Sequence, residues 1–367
     1  MKVKYLDLQK QFKDEALWTA IKKQLELCQF VMGQEVERFE SNFAGLCQTR
    51  FALGLNSGTD AIFLALKALK IGPGDEVITA PNSFVATAGA IVATGARPVF
   101  VDVGPDYNID VDLLEPAVTE KTRAILPVHL TGNPADMLRI MEIAKNAGVY
   151  VLEDAAQTVG ASIEGKAVGS FGDAGCFSLH PLKNLNVCGD GGVLTTSSPE
   201  IYERVKLLRN HGLKNRDEIE LFGYNSRLDT IQAAVANHVL KSLGAITETR
   251  RKNARIYDEE FKGLEDFVTL PPRKTHVLEV FHTYIIQVKK RDELIGYLAD
   301  HGVEAKIHYP IPIHLQKPFR TLGYGKGDFP ECEKQCGSIL TLPIHQHLTE
   351  GQLHYVTDLI KMFYKNG

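Results

Sequence analysis

The sequence predicts an α/β protein with a mostly parallel seven-stranded sheet covered by helices and a smaller C-terminal α+β domain. Three observations carry this reading. Between residues 52 and 196, short apolar runs alternate with helical stretches of roughly ten to fifteen residues, the pattern of parallel strands joined by crossover helices on both faces. Beyond Val268 glycine thins out and short strands mix with helices. A chain of 367 residues, 44% hydrophobic and 23% charged, is long enough for one large and one small folding unit, placed at 1-245 (with an N-terminal arm) and 246-367.

Taken in order, residues 1 to 12 alternate as an extended arm, and Lys13 to Leu25 has helical period with Trp18 on the apolar side. From Gly33 the period continues through Val36, Phe39, Phe43 and Leu46. Ala52 to Leu55 is a strand, and Ser57-Gly58-Thr59-Asp60 opens a helix. Strands at Glu76 to Ala80, Arg97 to Val101, Arg123 to Val128 and Val149 to Leu152 then alternate with helices at Ser83 to Thr94, Asp110 to Val118 and Pro134 to Ala147. Cys176 to Leu179 and Val193 to Thr196 complete the strands. Helices follow from Ile201, from Leu228 and from Gly244 to Leu264, with the polar segment Leu213 to Glu220 read as mobile. The C-terminal part carries strands at Thr283 to Val288 and Glu304 to Ile307, helices at Lys290 to His301 and Leu348 to Phe363, and the proline-rich turn HYPIPIH.

Several function classes are set aside by composition. The net charge is -4 and basic residues form no patch, so no nucleic-acid partner is expected. Six cysteines without framework spacing read as reduced thiols of a cytoplasmic protein. CEKQC, with Cys332 and Cys336, lacks the second ligand pair a zinc site requires. The N-terminus has no apolar core of a signal peptide and no run reaches eighteen apolar residues, so no membrane association is expected.

The candidate chemistry centres on CFSLHPLKNLNVCGDGGVL, where a strand stops at His180-Pro181, delivers Lys183 into a polar loop and returns through Gly189, Gly191 and Gly192. Asp154 stands at the end of another strand. An amine beside a buried carboxylate suits a Schiff-base cofactor such as pyridoxal phosphate, which needs a lysine, a carboxylate for its ring nitrogen, a phosphate seat and a group stacked on the ring. Lys183, Asp154, the Gly58-Thr59 helix start with Ser178, and Phe84 can supply them, with Gln157 reaching the phenolic oxygen. Each has a plainer alternative: a surface loop lysine, a capping aspartate, an ordinary helix cap and a core phenylalanine. A G-x-G-x-x-G fingerprint is missing from NSGTDA, which argues against a dinucleotide-dependent oxidoreductase.

The ordered set NSGTDA, ITAPNSFVATAGAI, PVFVDV, VHLTG, VLEDAAQTVGA, GDAGCFSLHPLKNL, GDGG, LRNHG, GYNSRLDTIQAA and HYPIPIH resembles the DegT/DnrJ/EryC1/StrS family of fold-type I, pyridoxal-phosphate-dependent nucleotide-sugar aminotransferases, from about Tyr5 to the C-terminus. The resemblance implies that Lys183 is the Schiff-base lysine and Asp154 the ring-nitrogen partner. It implies that Gln157 meets the phenolic oxygen, that Gly58, Thr59 and Ser178 hold the phosphate, and that Phe84 stacks on the ring. It further implies a homodimer with shared active sites in which Asn225 reaches the neighbour's phosphate. L-Glutamate is the implied amino donor and a dTDP-, UDP- or GDP-linked 3-keto or 4-keto hexose the acceptor. Family members with histidine in place of the lysine are dehydratases; Lys183 favours transamination. Commoner members read FYPxKNLGAYGD, so His180, Asn186 and Cys188 depart from that wording and point to a 3-keto sugar. His211, Arg227, Tyr309 and His314 are the candidate sugar-side residues, and an exposed domain turn is the alternative for HYPIPIH. A 4-keto sugar, an aminocyclitol precursor or a regulator without turnover remain as rival readings.

Overall fold

The computed structural model describes residues 1–366. Its central sheet has seven strands, in the spatial order Phe51–Leu55, Gly192–Thr196, Ala174–Ser178, Tyr150–Asp154, Thr122–Ile125, Glu76–Thr79 and Arg97–Phe100. Six run parallel; Gly192–Thr196 is antiparallel to both neighbours, with Ser178 and Leu55 each opposite Gly192. Side chains alternate across the sheet as the two-residue period of a strand demands. Leu53, Leu55, Cys176 and Leu194 face the helix Gly58–Ala68, whereas Ala52, Phe177, Leu179 and Val193 pack with Phe39 and Phe43 of the helix Gln34–Leu46.

The C-terminal part holds an antiparallel sheet of Val268–Thr269, Tyr284–Val288 and Ile339–Leu342. Its core of Tyr257, Tyr284, Leu298, Leu340 and Val356 is covered by the helices Leu243–Glu260, Arg291–Asp300 and Glu350–Asn366. Ile313, Phe319, Phe329, Cys332 and Cys336 instead join Ile78, Phe100 and Ile125 in the core of the large sheet, so this return segment fastens the two units to each other. Among the described residues no helix is long and apolar enough to cross a membrane.

The structure corrects several local expectations. The N-terminal arm contains a one-turn helix, Leu8–Gln11, because Asp7 caps it through Lys10 N–H. Trp18 is 60% exposed rather than on the buried face; its indole N–H donates to the Phe12 carbonyl. The expected strand Glu304 to Ile307 is reduced to bridges, Lys306 with Thr341 and Val303 with Val3, because the adjoining edge is shared with the N-terminal arm. A helix, Pro330–Ser338, and the strand Ile339–Leu342 lie where no element was expected. Prolines and a glycine-rich approach obscure their periods in the sequence.

Candidate active site

The carboxyl ends of the parallel strands open into a cleft of about 280 Å³, the position where ligands collect in such sheets. Gly58, Thr59, Phe84, Asp154, Gln157, Ser178, Lys183 and Tyr309 all line it. Residues from Gly58 to Tyr309 are brought together here by the fold and not by nearness in the sequence.

 All but Tyr309 follow the ends of strands of the large sheet; Tyr309 enters the cleft from the C-terminal unit.

Asp154 ends the strand Tyr150–Asp154 and is 4% exposed. Its Oδ2 accepts from Thr87 Oγ1 at 2.7 Å and its Oδ1 from Ala156 N–H at 3.2 Å. Burial raises its pKa, against the opposing pull of these donors, Lys183 and His129. Lys183, half-buried on the cleft floor, is lowered to about 8 by desolvation, with the Asp154 charge acting in the other direction. A desolvated amine near its neutral form is a competent nucleophile, and a buried carboxylate with no cation in hydrogen-bond contact suits a protonated ring nitrogen.

The other groups fit the same cofactor. Ser57 caps the helix Gly58–Ala68 through Asp60 N–H, and Gly58 and Thr59, whose amides have no partner within the helix, line the cleft. Gly58 is required there: a Cβ would lie 2.8 Å from the Ser178 Cβ. Gln157 Oε1 accepts from Thr131 N–H at 2.7 Å, which fixes the amide and leaves its Nε2 as the end available to a ligand. Phe84 is 53% exposed, its ring 5.8 Å from that of Tyr309, so it forms a wall of the cleft and not part of the core.

Other expected residues lie elsewhere. His314 does not reach the cleft: it is fully buried, 3.1 Å from Glu333 Oε1 and edge-on to Phe329, because the proline-rich turn directs it into the large-sheet core. His211, Asn225 and Arg227 do not line this cleft; Asn225 bridges Asn210, whose side chain accepts from Arg227 at 2.9 Å. Of the three departures in the lysine loop, His180 alone lines the cleft. Asn186 is buried and donates to the Pro181 carbonyl at 2.7 Å, holding the loop itself.

Residues that local patterns did not reveal complete the walls: Tyr5 from the N-terminal arm, Thr87, Arg250, His282, His308 and His345. Behind Asp154, the fully buried Glu153 accepts from the backbone N–H groups of Gly169, Phe171 and Gly172 and pairs with His129. VLED was the only signal for it, since a strand interior rarely carries two successive acids.

A half-buried lysine facing a buried aspartate at the strand ends of this sheet defines a fold-type I, pyridoxal-phosphate-dependent aminotransferase. The pattern of the DegT/DnrJ/EryC1/StrS aminotransferase family matches residues 11–361, and the chain belongs to that family. It is 42% identical to the UDP-N-acetyl-3-dehydro-alpha-D-glucosamine 3-aminotransferase of Acidithiobacillus ferrooxidans, over 95% of this chain and 94% of that one. It is 39% identical to the dTDP-3-amino-3,4,6-trideoxy-alpha-D-glucose transaminase of Streptomyces venezuelae, over 98% and 96%. Among solved structures, S. venezuelae DesV in complex with a ketimine intermediate superposes with a TM-score of 0.96 at 38% identity, covering 99% of this chain and 98% of that one.

Proposed function

We propose that the protein moves an amino group from L-glutamate to a dTDP- or UDP-linked 3-keto-deoxyhexose. The observation that carries the transfer chemistry is the Lys183–Asp154 pair in one cleft. The acceptor reading is supported by relatives named for amination at sugar position 3. Bound in the cleft, pyridoxal phosphate supplies an electron sink for the substrate carbon. Asp154 would hold its charge against the ring N–H, Gln157 Nε2 would donate to the phenolic oxygen, and Phe84 would pack against the ring. Gly58 and Thr59 N–H groups with the Ser178 hydroxyl would hold the phosphate. Lys183 Nζ would anchor the group and would be the base that moves the proton at the substrate carbon.

Asn225 and Arg227 both meet Asn210, and the adjacent His211 N–H donates to the Tyr224 carbonyl, so the three share a surface outside this chain's own cleft. In this reading that surface faces the cleft of a second copy in a homodimer, where Asn225 meets the phosphate and Arg227 or His211 the sugar nucleotide, while Tyr309 serves the cleft of its own chain. The reaction is placed in the cytoplasm, in keeping with six free cysteines.

The test mixes the purified holoenzyme with L-glutamate and dTDP- or UDP-linked 3-keto and 4-keto sugars, following cofactor absorbance and identifying products. Amination of a 3-keto sugar is expected. Amination of 4-keto sugars alone would overturn the acceptor, and no spectral change with glutamate would overturn the donor.

A further inference from the structure

Two arginines of the described chain are almost wholly buried, and their surroundings differ. Arg209 is 3% exposed, pairs with Glu40 and donates to the Gly54 carbonyl at 2.8 Å. Arg250 is 2% exposed, lines the cleft and pairs with no acidic side chain. Its Nη1 donates to the carbonyls of Phe281 and His282, at 3.0 and 3.2 Å, while its Nε is buried without a partner. Burying a guanidinium without an anion is costly, so a guanidinium on a cleft wall with no acidic partner and a free Nε is a site prepared for an anion.

The rest of that wall favours the same ligand. Tyr5 stands beside Arg250, and the Thr283 hydroxyl and His282 Nδ1 are also buried without partners. His282 lines the same cleft as Lys183 and Arg250, and the charges of both act on it. Thr283 N–H donates to the Thr131 carbonyl, and Thr131 N–H holds Gln157, so the wall is tied to the cofactor side of the cleft. An amino acid carries its carboxylate on the carbon that bears its amine, and a guanidinium fork matches a carboxylate with two parallel hydrogen bonds.

We propose that Arg250, with Tyr5 beside it, is the seat for the carboxylate of the amino donor. This rests on the aminotransferase reading above. The test measures glutarate and dTDP binding to the holoenzyme by calorimetry, for the wild type and Arg250→Gln, Arg250→Lys and Tyr5→Phe. Arg250→Gln is expected to weaken glutarate by about 10- to 100-fold and leave dTDP unchanged, with Arg250→Lys intermediate and Tyr5→Phe the mildest. Equal glutarate binding by the wild type and Arg250→Gln, including none by either, would overturn the seat; so would loss of dTDP binding in its place, which would assign the fork to a diphosphate. If Arg250→Gln does not fold, Arg250→Lys decides by the same two ligands. Arg250-dependent glutarate binding without any spectral response to glutamate would refute glutamate as donor while leaving the carboxylate seat standing.

Discussion

Gly192 lies directly against Ser57: a Cβ on Gly192 would sit 2.2 Å from the Ser57 carbonyl oxygen. The glycine turn after Lys183 and the capped start of the helix Gly58–Ala68 are therefore in backbone contact, which joins the anchoring loop to the phosphate seat. Gly192→Ala must push the two apart. It is expected to cost about 1–3 kcal/mol of stability and to weaken pyridoxal phosphate binding, read by thermal melting and cofactor titration. Wild-type melting and affinity would contradict the contact.

The Lys183 amine has its pKa lowered to about 8 from an ordinary 10.5. Between those values the unfolded chain holds a proton that the folded chain does not, so this group's contribution to stability rises with pH across that window. The neutral amine fraction grows in the same direction up to about pH 8. Cofactor capture by the apoprotein is expected to accelerate about tenfold per pH unit below 8 and to level off above it. Stopped-flow absorbance between pH 6 and 9.5, roughly, checks this; a flat profile would count against the lowered amine.

Asp154→Asn removes the charge while retaining the hydrogen-bonding shape that faces Thr87 and Ala156. Cofactor binding is expected to persist and the glutamate half-reaction to slow by roughly 10²–10³-fold. Single-turnover spectroscopy provides the measurement, and an unimpaired rate would remove Asp154 from its electronic role.

His314 is packed against Phe329 and Glu333 away from the cleft. His314→Ala is expected to cost about 1–3 kcal/mol and leave KM for the sugar nucleotide unchanged in the protein that remains folded. A raised KM at unchanged melting temperature would return His314 to the substrate side.

The alternation of strands and helices, the Lys183 loop, Asp154 and the Ser57-capped turn are local features, and the sequence alone determined them: periodicity and capping act over a few residues. The helix Pro330–Ser338, the burial of His314 and the exposure of Trp18 depend on which distant surfaces meet, and only the tertiary structure decided those. The same holds for the cleft walls. Tyr5 and Arg250 come from an arm and a charge-rich helix with no motif between them, and become one wall because the arm bridges Val303 while Arg250 holds the carbonyls of Phe281 and His282. Local propensity specifies the elements that supply Lys183 and Asp154; long-range packing specifies what they face.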